Sequence, residues 1–206
     1  MKKGLFITIE GMDGSGKTTQ INIIRDYISQ KGYNVIIARE PGGTKISEKI
    51  RDIILDPANA TMAATTEMLL YASARAQLVA EIIKPAVENG SVVVCDRFID
   101  SSFAYQGFGR GIDINTIADV NRAAMDGMVP DLTFFIDMSP EIALKRRMAS
   151  SMADRIEKEH MEFHMKAYNG YKKLARLYPE RIKTIDGNRT VEEISQEIRK
   201  WLDTVV

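Results

Sequence analysis

Short apolar runs rich in β-branched residues alternate along this chain with longer stretches in which apolar positions recur every three or four residues. Leu5–Ile9 is the first run; it ends in a glycine-rich turn and is followed by a helical stretch from Thr18 to Gln30 that Gly32 closes. Asn34–Ala38 reads as a second strand. The Pro41-Gly42-Gly43 loop then leads into a helix carrying Ile46, Ile50, Ile53 and Ile54, which Asp56 and Pro57 end. From Thr65 to Glu88 the spacing predicts one long helix, apolar on more than one side (Met68, Tyr71, Ala72, Leu78, Val79, Ile82, Ile83), with Pro85 as a kink near its end.

Ser91–Asp96 and Leu132–Ile136 are continuous apolar runs without alternation, the pattern of strands buried on both faces of a parallel sheet. Ser139 and Pro140 start a helix to Met148, Ala149–Ala153 is a soft connector, and a second long helix is expected from Arg155 to Tyr178. A strand at Ile182–Ile185, a turn at Asp186–Asn188 and a helix from Val191 to Leu202 complete the chain. Such alternation predicts an α/β fold: a five-stranded, mostly parallel sheet with helices on both faces, in a single domain over residues 1–206.

Composition narrows the partners. With 45% hydrophobic and 27% charged residues the chain can bury a core, and 28 Lys plus Arg against 28 Asp plus Glu leave no broad basic field for nucleic acid or membrane. Any anion site must be local. Glu10 interrupts the N-terminal apolar run before it reaches signal-peptide length, and no run is long enough to span a bilayer. A single cysteine, Cys95, reads as a small buried hydrophobe in a reducing compartment, so a cytoplasmic protein with no membrane or nucleic-acid partner is expected.

Gly11-Met12-Asp13-Gly14-Ser15-Gly16-Lys17-Thr18 matches the P-loop pattern at every fixed position, between a predicted strand and a predicted helix. Glycines let successive backbone N–H groups turn toward phosphate oxygens, and the helix N-terminus adds partial positive charge. Lys17 would meet the β- and γ-phosphates of ATP, Thr18 would offer its hydroxyl to Mg²⁺, and Asp96 would end the buried strand on the metal side.

A P-loop does not name the acceptor. Arg39-Glu40-Pro41-Gly42-Gly43-Thr44 follows the second strand and Asp96–Gly107 the third, at the carboxyl ends where open parallel sheets bind ligands. With these segments, the P-loop and Asp154-Arg155-Ile156-Glu157, the chain resembles the thymidylate kinase family over nearly its whole length. The resemblance implies a P-loop nucleoside monophosphate kinase-like fold that transfers the γ-phosphoryl group of ATP to dTMP with Mg²⁺, as a homodimer joined through the long helices. It implies that Arg97 binds the acceptor phosphate, with Arg39 and Arg51 near the same subsite. Tyr71 would stack on thymine with Arg75 one turn later, Ser102 and Gln106 would line the base pocket, Tyr105 would crowd the 2′ position, and Asp13 would hold the 3′-hydroxyl. The acceptor phosphate is already an anion near neutral pH, so charge neutralisation and alignment suffice without a general base.

In this family the arginine over the transferring group comes from the P-loop or from a lid. Met12–Ser15 contain none, so the chain resembles the lid-supplied, bacterial type, with a lid expected over residues 147–156. Met148–Ala153 has no basic residue, which leaves Arg147 and Arg155, with Arg146 as an alternative or as an adenine-side contact on the ATP. Other readings are a different P-loop mononucleotide or small-molecule kinase, or a nucleotide-gated switch; no Asn-Lys-x-Asp or Ser-Gly-Gly signature supports the switch. His160 and His164 stand four apart without a third histidine and read as a helix face.

Overall fold

A computed structural model describes residues 4–148 and 153–206. Five strands, β1 (Leu5–Gly11), β2 (Val35–Arg39), β3 (Val92–Asp96), β4 (Leu132–Asp137) and β5 (Ile182–Asp186), form one sheet in the order β2-β3-β1-β4-β5. Every pairing is parallel, so the expected "mostly parallel" sheet is parallel throughout. The strand order reverses at β1, which is flanked by β3 and β4 with Ile9 opposite both Asp96 and Phe134. A crevice at the carboxyl ends belongs at that point.

The period of two along β1 divides its side chains between two cores. Leu5, Ile7 and Ile9 pack with Val92, Val94, Phe134 and Ile136 against α1 (Lys17–Gln30) and α9 (Val191–Leu202), through Ile21, Ile24, Ile28, Ile194 and Ile198. Phe6 faces the other way, into a cluster with Val93, Cys95, Phe98, Leu78 and Ile83. Phe135 and Ile182 extend that face into a third cluster with Tyr105, Phe163, Ala167 and Tyr171. The alternation places Thr8 and Glu10 on the Phe6 face, where both are fully buried.

α2 (Lys45–Leu55) starts at Thr44, whose hydroxyl accepts from Ser47 N at 3.1 Å. The predicted Thr65–Glu88 helix is α3 (Ala64–Leu78), a π-helical turn at Val79–Ile83 and α4 (Lys84–Glu88). Pro85 lacks the N–H that would continue the ladder, and the widened turn lies immediately before it.

Two helical regions differ from expectation. After β3 come α5 (Ile99–Ser102), a π-helical segment Phe103–Gly109 and α6 (Ile114–Met125), none of them predicted. After α7 (Pro140–Met148), the helix expected from Arg155 begins only at Met161, as α8 (Met161–Leu177). Asp154 Oδ1 accepts from the backbone N–H groups of Ile156 and Glu157, both at 2.9 Å, and that local side-chain capture makes residues 155–158 a turn. The expected lid connector falls largely on residues 149–152, outside the described residues. Among the described residues no helix is long and apolar enough to cross a membrane.

Candidate active site

Between β1 and α1 the chain curls through Gly11, Gly14 and Gly16 at φ 140°, 87° and 95°, values open to glycine and costly for other residues. At Gly14 the absence of a side chain is also steric: a Cβ there would lie 2.0 Å from the carbonyl oxygen of Ala143 on α7. Lys17 is buried and folds back over the loop, donating to Gly11 O at 3.2 Å and Met12 O at 3.0 Å, with Asp13 Oδ1 at 3.7 Å. Burial and the charge of Arg97 lower its pKa, against the opposing pull of Asp96 and Asp13. Ser15 Oγ and Asp96 Oδ1 are buried without a hydrogen-bond partner. Unsatisfied buried polar atoms are rare, and two beside one glycine cradle mark a place built for a polar ligand.

Arg97 stands just past β3 with φ 68°, a left-handed conformation that a non-glycine residue holds only when its surroundings fix it. Its N–H donates to Ile9 O at 3.0 Å, and its Nη2 donates to Asp13 Oδ1 at 2.7 Å. Nη1 reaches Tyr171 OH at 3.0 Å and Ser101 Oγ at 3.3 Å, and the guanidinium lies 5.3 Å from the centre of the Tyr105 ring. Burial would lower the Arg97 pKa, but Asp13 and its neighbours hold it well above the usual value. Burial likewise favours a neutral Asp13, yet Arg97 and Lys17 outweigh it and keep that carboxyl below the ordinary range.

Behind Arg97 sits Glu10. Its carboxylate accepts from Phe98 N at 2.7 Å, Ser101 Oγ at 2.7 Å and Tyr171 OH at 2.8 Å. Burial, then the charge of Asp100, pushes its pKa up from 4.5 to about 7, against Arg97 and the donated hydrogen bonds.

A cleft of ≈ 140 Å³ opens in front of Arg97. Of the predicted site residues it brings together Asp13, Arg39, Arg51, Tyr71, Asp96, Arg97, Tyr105 and Gln106, with Ser101 and Asp154 beside them. A second hollow of ≈ 450 Å³ holds Thr18 and shares Arg39 and Asp96 with the first. Arg51 Nη1 and Arg39 Nη1 both donate to Pro41 O, at 2.8 and 3.3 Å, which fixes the two arginines on one loop.

Arg75, Ser102 and Arg155 are placed differently, and Arg146 and Arg147 lie on α7. Arg75 is 1% exposed and does not line the cleft: its Nε and Nη2 are taken by Glu40, and its Nη1 by Ser102 Oγ at 2.9 Å and Asn121 Oδ1. Ser102 is buried with it, and Ser101 takes its place at the cleft wall. Arg155 does not project over the phosphate loop. Its Nε donates to Ile54 O and its Nη2 to Glu67 Oε2, both at 2.7 Å, because the turn at Asp154 directs it inward. On α7, Arg146 touches Met138 Sδ at 3.4 Å, while Arg147 pairs with Glu157 at 2.6 Å. Of these lid arginines Arg147 lies nearest the cradle, its backbone N 3.0 Å from the Cβ position of Gly14.

Sequence reasoning missed Glu10, Glu40, Glu67 and Tyr171. One signal was available: Glu10 is an acid at an inward position of an apolar strand, and such a residue is kept only with buried partners.

Among the described residues no group of three or more His, Cys, Asp or Glu could hold a metal ion. A hydroxyl at Thr18 and an unpartnered carboxylate oxygen at Asp96 still suit Mg²⁺, which keeps waters and takes substrate phosphates as ligands.

A five-stranded parallel sheet in this order, a glycine cradle after its first strand and an arginine-walled cleft beside it define a P-loop protein of the nucleoside monophosphate kinase-like fold. The sequence model described as Thymidylate kinase matches residues 9–198. The chain is 50% identical over 196 residues to a thymidylate kinase of Thermoanaerobacter sp. (strain X514), covering 95% of this chain and 96% of that protein. It is 48% identical over 204 residues to one from Clostridium novyi (strain NT), covering 98% and 100%. A crystal structure of thymidylate kinase from Ehrlichia chaffeensis superimposes with a TM-score of 0.77 at 34% identity, covering 97% of this chain and 98% of that one. The chain belongs to the thymidylate kinase family.

Proposed function

We propose that this chain transfers the γ-phosphoryl group of ATP to dTMP, giving dTDP and ADP. The observation that carries the reading is the pairing of the Lys17 cradle with a second cationic wall, Arg97, across Asp13. The donor triphosphate lies along the loop N–H groups with Lys17 at its β- and γ-phosphates. The acceptor phosphate binds Arg97, with Arg39 and Arg51 at the same rim and the base directed toward Tyr71 and Gln106. An acceptor phosphate oxygen forms the new P–O bond at the γ-phosphorus; the bond to the β-phosphate oxygen breaks and ADP leaves with the electron pair. Proton abstraction is not needed, so the residues act by alignment and by neutralising charge. Asp13 holds the acceptor sugar and fixes Arg97, and Tyr105 packs against that guanidinium. Thr18 and Asp96 would hold Mg²⁺, which supplies further neutralisation of the donor phosphates when bound.

Arg147, beside the cradle, is the lid arginine this arrangement favours, since Arg155 is held inward by Glu67. The reading includes a homodimer through the long helices, supported by the half-exposed Leu69 on α3. It also includes a cytoplasmic setting, supported by the unpaired buried thiol of Cys95 and by the nucleotide substrates.

The test is ATP and Mg²⁺ with a panel of acceptors (dTMP, dUMP, dCMP, dGMP, AMP, CMP and shikimate), followed as ADP and diphosphate product. Formation of dTDP with dTMP as best acceptor is expected; silence toward dTMP overturns the reading. Sedimentation velocity tests the dimer, and a monomer at micromolar concentration removes that part.

A further inference from the structure

Glu67, on α3, is fully buried and bonded to Gln106, which lines the cleft. Four donors converge on it: Gln106 Nε2 at 2.9 Å, Arg110 Nε and Nη2 at 3.2 and 2.9 Å, and Arg155 Nη2 at 2.7 Å. We propose that Glu67 is a positioning residue for base selection: it locks the Gln106 amide so that Oε1, an acceptor, is the atom presented to the nucleobase. The proposal rests on the dTMP kinase reading and names the residue that sets the polarity of its base contact.

Protonation and hydrogen-bond capacity together fix the direction of the Gln106 amide. Burial alone would favour a neutral Glu67, but Arg110, Gln106 and Arg155 outweigh it and hold the carboxyl below its usual range. An ionised carboxylate has no proton and only accepts. An amide can present either its oxygen or its NH₂ to a neighbour, and an oxygen turned toward Glu67 would set two buried acceptors against each other. The NH₂ therefore faces Glu67, as found, and Oε1 is the amide atom left for the cleft that Gln106 lines.

A fixed acceptor selects by hydrogen-bond polarity. Thymine and uracil carry an N–H at N3, which donates to Oε1. Cytosine carries a lone pair at N3, so the same position meets acceptor with acceptor, and discrimination by an unpaired buried polar group is large. The contact does not separate dTMP from dUMP, because both bases carry that N–H.

The experiment measures kcat/KM for dTMP, dUMP and dCMP with ATP and Mg²⁺ in the full-length protein and four variants. In Glu67→Gln the neutral amide can donate as well as accept, which frees Gln106 to turn; the dTMP/dCMP ratio is expected to fall by about tenfold or more. Glu67→Asp keeps an acceptor-only group, and Arg110→Ala leaves Arg155 to hold Glu67 ionised; both should keep the ratio within about threefold even where stability drops. An unchanged ratio in Glu67→Gln, whatever its effect on stability, overturns the proposal. If Glu67→Gln yields no soluble protein, Gln106→Met decides: it removes the amide, and a ratio within about threefold of wild type would refute the role. Failure of the wild type to phosphorylate dTMP would instead end the kinase reading, and equal use of dTMP and dCMP by an active wild type would end this proposal alone.

Discussion

Replacing Glu10 with Gln should change how the stability of the fold depends on pH. Glu10 is 0% exposed, and Asp100, Arg97, Arg181 and Lys17 all act on its charge. Because its pKa rises from 4.5 in the unfolded chain to about 7 in the folded one, the folded state binds the proton more tightly. The contribution is fully present below pH 4.5 and is lost as pH rises through about 7. At about 1.36 kcal/mol per tenfold change in proton affinity the whole effect is roughly 3 kcal/mol, most of which falls between pH 5 and pH 8. Glutamine is nearly isosteric: one atom still accepts from Phe98 N, and its NH₂ can donate to the hydroxyls of Ser101 and Tyr171, which rotate to accept. Urea unfolding of both proteins at pH 5 and pH 8 compares the titrating carboxyl with its non-titrating counterpart. The wild type should lose about 2–3 kcal/mol more than the variant over that interval. A difference under about 0.5 kcal/mol would show that Glu10 is not held near neutrality and would remove the argument.

Arg97→Lys should raise the KM for dTMP by about tenfold or more, because an ammonium cannot hold Asp13, Tyr171 and a phosphate in one plane; steady-state kinetics showing an unchanged KM would contradict this. Arg75→Ala should cost about 3–5 kcal/mol in chemical denaturation by leaving Glu40 buried without its partner, and a loss below about 1 kcal/mol would mean that water reaches that carboxylate. Asp96→Asn should raise the Mg²⁺ concentration for half-maximal turnover by about tenfold, measured by metal titration at saturating ATP; an unchanged titration would take Asp96 off the metal side.

How much was legible in the sequence follows from where the information lies. The phosphate cradle is contiguous, Gly11 to Thr18, so spacing alone identified it. β3 and β4 were legible because burial on both faces leaves an uninterrupted apolar run. The helices after Arg97 were missed: two of the three segments are short or π-helical, and their apolar spacing departs from 3.6 residues. The start of α6 did carry a signal in Asp113, whose carboxylate accepts from Asn115 N and Thr116 N. The acids Glu10, Glu40 and Glu67 find their partners across 161, 35 and 88 residues of chain (Tyr171, Arg75 and Arg155), and no local pattern encodes such pairs. Arg155 shows the complementary limit. Its side-chain direction is set by the Asp154 turn and by Glu67, which only the folded chain brings together.

The contact between Gly14 and α7 bears on how these enzymes can diversify. Because the Ala143 carbonyl occupies the space a Cβ would need, no arginine can be grafted into the cradle at position 14 while α7 keeps its present seat. The helix that blocks that graft carries Arg146 and Arg147 itself. Loop and helix are thus a matched set, and a chimera that exchanges one without the other would bring either a collision or a missing cation.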